Sequence, residues 1–236
     1  KPIVGCEFYL VEDRHKKSFS RKIGERDKRH HQLLLAKNEV GYQNLSKLCS
    51  LGFIEGIYGE YPRIDKELLV QYHEGLIASS CCLAAEIPQT ILRGDLEKAE
   101  SLLKWWLDLF GDDYYIELQR HRGLEDIDGT GTSQEDVNQV LLSFAKKYNV
   151  KVIATNDAHY VEEEDWNAHD ILLCINTGDL QNPKDGGKRS FKFPNSEFYF
   201  KTQEEMEALF SDIPEALDNT NLIVDKIESL NLENDV

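Results

Sequence analysis

Residues 114–160 read YYIELQRHRGLEDIDGTGTSQEDVNQVLLSFAKKYNVKVIATNDAHY, and this stretch shows the unit from which the chain is built. A short apolar run at 114–118 is followed by a segment of helical period at 134–148 and by a second apolar run at 151–155. Ser133 is the expected N-cap of the helix, with Asp136 three positions on. Strand, helix and strand in this order predict a βαβ unit with parallel strands.

The same alternation extends along the chain and predicts an α/β fold around a parallel sheet or barrel. Further strands are expected at residues 3–10, 32–36 and 76–80. Further helices are expected at residues 39–51, 65–72, 96–110, 162–176, 202–210 and 214–230. The basic stretch 14–31 has no clear period and is interpreted as an exposed loop, and 178–190 as a polar loop.

The composition excludes several classes of protein. The 236 residues include 27 Lys and Arg against 43 Asp and Glu, which gives a net charge of −16. A surface of that sign repels phosphates, so the totals do not indicate a protein that binds nucleic acid or an anionic membrane by charge alone. Five irregularly spaced cysteines indicate no disulfide framework.

The sequence contains no apolar run of transmembrane length and no signal peptide, and we therefore expect a cytoplasmic protein without membrane contact. Hydrophobic residues make up 41% of the chain, enough for a sizeable core. The chain begins with Lys1-Pro2 and no Met, directly before an apolar run, and we expect it to be part of a longer protein.

Side chains that can bind metal accompany every expected strand. Functional residues of barrels and open α/β sheets collect where strands end, because the loops converge there. The candidates, in chain order, are Glu7, His30, His31, Cys81, Cys82, Glu86, Glu117, His121, Asp157 and His159. A mixed set of oxygen, nitrogen and sulfur donors suits zinc, manganese or iron, and such ions would activate water and neutralise a phosphoryl group.

Each candidate also has a structural interpretation. Asp157 and His159, two residues apart in an extended segment, could bind one ion, or Asp157 could cap the next helix and leave His159 on the surface. Cys82 alone is more often a small buried hydrophobe than a ligand. Glu7 is costly to bury without a cation or donors. His31 precedes its apolar run, so the strand-end rule fits it poorly.

Eight motifs in series resemble the PHP (polymerase and histidinol phosphatase) domain of bacterial DNA polymerase III alpha subunits. They are GCEFY, HHQLLLAKNEVGYQNLSKLCSLGFIEG, YPRIDKELL, EGLIASSCCLAAEIP, YYIELQRH, VIATNDAHYV, AHDILLCINTG and SEFYFKTQEEMEALFSDIPEALDNT. The resemblance implies a distorted (β/α)7 TIM-like barrel, incomplete at the N-terminus and with a helical C-terminal extension. It divides the chain into a partial PHP barrel at 1–177 and a loop and helical segment at 178–236 that leads toward the polymerase palm.

The resemblance implies metal ligands at Glu7, His31, Cys82, Asp157 and His159, with Asp157 and Glu7 in catalytic roles. His121 and Glu117 are expected as neighbours of the site. The implied cofactors are Zn²⁺ or Mn²⁺, up to three ions in an intact domain and fewer or none here, with Mg²⁺ for the parent polymerase. The family's upstream H-x-H and T-D-H ligands and the carboxylates of the palm are not in this chain.

The implied function is that of a part of the catalytic alpha subunit of the replicative DNA polymerase, a nucleotidyltransferase of DNA replication. Its PHP site would act as a 3′–5′ exonuclease or phosphoesterase. Expected partners are the remainder of the alpha subunit, a proofreading exonuclease subunit, other replisome components, and DNA bound through the parent protein. Two alternatives stay open: a structural module that stabilises the polymerase and docks the proofreading subunit, and a stand-alone PHP phosphoesterase.

Overall fold

A computed structural model describes residues 1–20, 22, 24–183 and 187–230 of the chain. Parts of the two expected loops, residues 21, 23 and 184–186, and the end of the C-terminal segment, 231–236, lie outside this description. The strands are β1 Gly5–Val11, β2 His30–Ala36, β3 Arg63–Asp65, β4 Leu76–Ser79, β5 Tyr114–Gln119 and β6 Val152–Thr155. The helices are α1 Glu39–Ile54, α2 Lys66–Tyr72, α3 Glu86–Leu92, α4 Leu96–Phe110, α5 Gln134–Tyr148, α6 Trp166–Thr177, α7 Gln203–Leu209 and α8 Pro214–Lys226.

The six strands form one sheet in the order β3-β1-β2-β4-β5-β6. Strand β2 runs antiparallel to both of its neighbours, β1 and β4, whereas the pairs β1–β3, β4–β5 and β5–β6 are parallel. The expected α/β fold is confirmed, with a mixed sheet in place of an all-parallel one. Because β2 is reversed, its first residues lie at the edge where the other strands end.

Helices cover the strands and close the core. The central strands β4 and β5 are buried along their whole length, as is typical of parallel strands covered on both faces. The main hydrophobic cluster joins strand residues such as Leu34 and Ile116 to Leu48 of α1 and to Leu103 and Trp106 of α4. This core holds the strand ends in place, and with them the side chains of the site.

Helix α5 has the predicted boundaries. The Ser133 side chain accepts a hydrogen bond from the Asp136 amide, and the Asp136 carboxylate accepts one from the Ser133 amide, which completes a capping box. Asn149 ends the helix in the left-handed conformation. The capping residues and the helical period agree here, so the sequence pattern is sufficient to predict both ends of the helix.

Two short elements have no counterpart in the prediction, and α6 and α8 are the helices that fall furthest short of their expected length. Strand β3 has three residues and α3 has seven, too few to show a hydrophobic period. Helix α6 begins at Trp166 because a 3-10 turn at Glu163–Asp165 precedes it, and α8 ends at Lys226. Strand and helix lengths of this kind depend on tertiary packing.

The interpretation of residues 14–31 as an exposed loop is wrong for its anchoring residues. The Arg14 guanidinium is buried against Asp65, with its NH1 at 2.9 Å from Oδ1. Arg63 is buried and donates to the carbonyls of Gly56, Arg14 and Lys16 at 2.8–3.1 Å. These buried cations hold the connection between β1 and β2 onto the fold, and the stretch ends inside β2.

Within the ranges that the structure covers, no helix is both long enough and apolar enough to span a membrane.

Substitution of Asp65 by Asn tests the buried ion pair with Arg14. Asn retains the N-cap of α2, where Asp65 accepts from the Leu68 amide, but it removes the charge. Because the guanidinium then loses the one buried carboxylate among its three partners, Asp65, Glu55 and Glu67, we expect a loss of about 3 kcal/mol in the free energy of unfolding, measured by urea denaturation. Glu67 also contacts Arg14 but is exposed, so Glu67→Gln should cost less than about 1 kcal/mol. Equal effects of the two substitutions would contradict this account.

Candidate metal centre

Three side chains from separate segments meet at one point of the sheet. Glu7 lies on β1, His31 on β2, and Cys82 in the turn that follows β4. Their ligand atoms all lie within 4.8 Å of one another. The His31 Nδ1 atom is 2.7 Å from Glu7 Oε1 and 3.5 Å from Cys82 Sγ. Within the part of the chain that the structure describes, this is the one group of three such side chains that could hold a metal ion.

The register of β1 against β2 positions Glu7 and His31. Tyr9 pairs with His31 across the antiparallel β1–β2 ladder, and Glu7 lies two residues before Tyr9 on the same face of the strand. Glu7 and His31 are therefore diagonal neighbours on one side of the sheet. His30 alternates to the opposite side, where its Nδ1 lies 3.4 Å from the Ala84 carbonyl oxygen.

A residue in the left-handed backbone conformation, Cys81, positions the third side chain, that of Cys82. Cys81 has φ of 57°, an uncommon conformation for a residue with a side chain, and its amide donates to Ser79 Oγ at 3.1 Å. This turn directs the next residue, Cys82, toward His31. Glu86, the other acidic candidate of this motif, begins α3 and pairs instead with Lys66, 2.9 Å away.

The three groups stabilise one another's charged forms. Hydrogen bonds to Cys82 and to Glu7 raise the pKa of His31 to about 10, although burial opposes this. Hydrogen bonds from Cys81 and His31 lower the pKa of Cys82 to about 6 against the effect of burial. The hydrogen bond from His31 also lowers the pKa of Glu7. Nδ1 of His31 thus contacts both the Glu7 carboxylate and the Cys82 sulfur, at the place that a cation would take.

The donor set fits a borderline transition metal. Carboxylate oxygen, imidazole nitrogen and thiolate sulfur together are ligands of zinc and related ions, whereas magnesium and calcium favour oxygen alone. Cys82 is buried, and its lowered pKa favours the thiolate, the form that binds metal. The residues present therefore fit the class of ion that the sequence indicated.

Asp157 and His159 line the same cleft as the three residues, a cleft of about 760 Å³, but lie outside the group of closest ligand atoms. Asp157 follows β6 with φ of 50° and caps no helix, because the next helix begins at Trp166. His159 Nδ1 is 2.6 Å from the Asp157 carbonyl oxygen. Since a carbonyl only accepts, Nδ1 carries the proton and Nε2 is the ring nitrogen available to a ligand.

Burial raises the pKa of Asp157, and nearby Glu7 and Glu117 act in the same direction against the attraction of His159. Several carboxylates thus share a partly buried space at the end of the sheet. Like charges at short range are relieved by a bound cation or by a proton.

His121 and Glu117 lie beside the site with their polar atoms already engaged. His121 is buried, with Nε2 2.8 Å from the Asn156 carbonyl oxygen and Nδ1 3.1 Å from Gln134 Nε2. Glu117 accepts from Ser79 Oγ at 2.6 Å and from Thr155 Oγ1 at 2.5 Å. Glu117 therefore connects the ends of β4 and β6, the strands that lead to Cys82 and Asp157.

An aromatic wall of the cleft was not anticipated from the sequence. The ring of His169, on α6, lies 5.1 Å from that of Phe193, and the ring of Phe193 lies 4.6 Å from that of His159. The alternation of cations and phenylalanines in KRSFKF, residues 188–193, was the available signal. Only residues 188–190 of this motif lie in the predicted polar loop 178–190, and no element is predicted for residues 191–193.

Comparison with known proteins identifies relatives. A family described as "PHP domain" matches residues 1–121. The chain is 42% identical over 233 residues to the DNA polymerase III subunit alpha of Borreliella burgdorferi, an alignment that covers 98% of this chain and 19% of that protein. It is 45% identical over 226 residues to the protein of the same name from Thermus aquaticus, covering 93% of this chain and 17% of that one. The chain thus spans about one fifth of the length of these curated relatives.

Substitution of Glu117 by Ala tests the connection between the strand ends. The hydroxyls of Ser79 and Thr155 would lose a buried acceptor, so we expect a loss of roughly 1–3 kcal/mol in the free energy of unfolding, measured by urea denaturation. Glu97→Ala on α4 removes an exposed carboxylate and serves as the matched control. A Glu117→Ala protein as stable as the control would refute the connecting role.

Proposed function

The chain belongs to the PHP domain family, and we propose that it is the PHP portion of the catalytic alpha subunit of a bacterial replicative DNA polymerase. The polymerase relatives support this, since their alignments cover 93–98% of the chain and continue far beyond residue 121. In this proposal residues 1–177 form the barrel, ending with α6, and residues 178–236 lead toward the palm. Such a subunit acts in the cytoplasm with the rest of the replisome and contacts DNA through its other domains.

We propose further that Glu7, His31, Cys82, Asp157 and His159 bind Zn²⁺ or Mn²⁺ and that the site hydrolyses phosphodiesters from a 3′ end. The observation that carries this proposal is the approach of Glu7, His31 and Cys82 to within 4.8 Å from three segments of the chain. Asp157 and His159 support it because they line the same cleft. A bound ion would activate water and neutralise phosphoryl charge.

The side chains would do the following. His31, Cys82 and His159 hold the site, while Glu7 and Asp157 act at the reacting groups. Asp157, which lines the cleft beside Glu7, would accept the proton of the attacking water. The water oxygen bonds to phosphorus, the bond from phosphorus to the 3′ oxygen of the preceding nucleotide breaks, and that oxygen takes up a proton. The products are a nucleoside 5′-monophosphate and a strand with a new 3′ hydroxyl.

One observation favours a structural role as the alternative. The ion pair of Glu7 and His31 already satisfies both groups without a cation, and Asp157 lies outside the closest group. In that case a bound ion would serve stability, and the domain would support the polymerase and dock a proofreading subunit. The two functions predict different effects of substituting one ligand. A catalytic site would lose activity, whereas a structural site would lose stability.

Cobalt binding tests the proposed ligand set. Co²⁺ bound to a thiolate gives a charge-transfer absorption band, so we expect this band on addition of Co²⁺ to the wild-type protein and its loss in Cys82→Ser. Cys49→Ser, which changes a half-buried thiol of α1 outside the cleft, should retain the band. A band that survives Cys82→Ser would exclude Cys82 as a ligand.

Hydrolysis of a 3′-labelled single strand tests the proposed reaction. In the intact protein with Zn²⁺ or Mn²⁺, Asp157→Asn should lower the rate of mononucleotide release by about 100-fold or more, since it removes the proton acceptor. Asp108→Asn, on the exposed side of α4, is the control. If the wild-type protein binds metal but releases no nucleotide, and if Asp157→Asn instead lowers the melting temperature, the structural alternative is correct.

A further inference from the structure

The segment 187–201 differs in character from the rest of the chain. Although the whole chain has a net charge of −16, this segment has four cations and one acidic residue. The cations alternate with aromatic residues, most closely at Arg189, Phe191, Lys192 and Phe193. Interleaved cations and aromatic rings are typical of surfaces that bind single-stranded nucleic acid.

The structure places this segment at the candidate metal centre. Phe191, Lys192 and Phe193 line the same cleft of about 760 Å³ as Glu7 and His31. Phe191 is 52% exposed, and its ring lies 5.3 Å from that of Phe193. Phe193 is in turn supported by Phe198, at 4.5 Å between ring centroids. An accessible ring with a rigid support is therefore held beside the proposed site of hydrolysis.

A second cleft, of about 530 Å³, continues on the other side of Phe193. Phe193, Lys192 and His169 line both clefts, and Trp166 and Arg189 line the second. Trp166 is exposed on the first turn of α6. The two clefts thus adjoin each other at these shared residues, and both are lined by residues of α6 and of the basic aromatic segment.

Arg189 lines the second cleft and has hydrogen-bond donors without an acceptor within the described residues. Its side chain is only 9% exposed, and NH1 donates to Asp170 at 2.9 Å. Its Nε and NH2 atoms are buried and have no hydrogen-bond partner within the described residues. Buried donors without acceptors are unfavourable, and a guanidinium with two free N–H groups is suited to a phosphate.

We propose that the two clefts bind the unpaired 3′ end of a DNA strand, with bases stacked on Phe191 and Trp166 and backbone phosphates bound by Lys192 and Arg189. This inference rests on the proposed function and assigns the side chains, outside the metal centre, that would hold its substrate strand. A site for a single nucleic-acid strand needs both aromatic rings and cations, because every base has a face that stacks and every linkage has a negative phosphate. An acidic peptide would need only the charge.

The test uses a short oligodeoxythymidylate with 5-iodouracil at its 3′ end, photocrosslinked to the intact protein in the presence of a chelator. Without metal there is no hydrolysis, so binding is measured separately from the reaction. Mass spectrometry identifies the crosslinked residue, and adduct yield against protein concentration gives the apparent Kd of this site. We expect adducts in α6 and in the segment 187–201. Adducts confined to other parts of the protein would overturn the proposal.

Substitutions at two exposed residues separate the contribution of base stacking from that of phosphate binding. Phe191→Ala should raise the apparent Kd by about fivefold or more, the effect of losing one base stack, whereas Phe191→Tyr should leave it close to wild type. Lys192→Gln should lower the slope of log affinity against log salt by about 0.7, the value for one phosphate contact. The matched controls are Phe53→Ala, at a side chain that is 59% exposed on α1, and Lys47→Gln on the same helix.

Equal effects of the variants and their controls would refute the site. If polyglutamate displaced the probe as effectively as unlabelled oligothymidylate of the same charge, the ligand would be an acidic peptide and the nucleic-acid assignment would be wrong. If the crosslinks form as expected but the metal-loaded protein releases no nucleotide, the binding site is correct and the proposed hydrolysis is not. The failure of one proposal is thus distinguishable from the failure of the other.

Discussion

The reversed strand β2 is the constraint on which the rest of the site depends. It lies between β1 and β4, antiparallel to both, and pairs His31 with Tyr9. Had β2 run parallel, His31 would lie at the opposite edge of the sheet, far from the turn that carries Cys82. The reversed direction of β2 therefore brings His31, near the start of that strand, close to Cys82, which follows β4.

Charge is distributed unevenly over the fold, as the proposed binding of a phosphate backbone to an acidic chain requires. Carboxylates are gathered at the ends of the strands, where Glu7 contacts His31 and where Glu117 receives hydroxyl donors. Cations are concentrated in the segment 187–201 after α6, where Lys192 lines the cleft. The net charge of −16 describes the whole molecule and says little about this one opening.

Elements with local signals were predictable, and elements set by distant partners were not. Helices α4 and α5 have the expected boundaries, because apolar period and capping residues are encoded in consecutive residues. The connection after β1 was misinterpreted because Arg14 is buried by Asp65, 51 residues away. The strand-end rule placed His31 and Cys82 among the metal-binding candidates, although His31 fits that rule poorly, and the resemblance selected them over His30 and Cys81.

By itself, the sequence determined the family, the α/β class and the chemical types of the donor side chains. All of these follow from residue identity and from short-range spacing. Only the tertiary structure decided that Glu7, His31 and Cys82 meet, that His121 is engaged elsewhere, and that Phe191 and Lys192 face the same cleft. The physical reason is that strand direction, the left-handed turn at Cys81 and the packing of α6 against residues 189–196 depend on contacts between segments far apart in the chain.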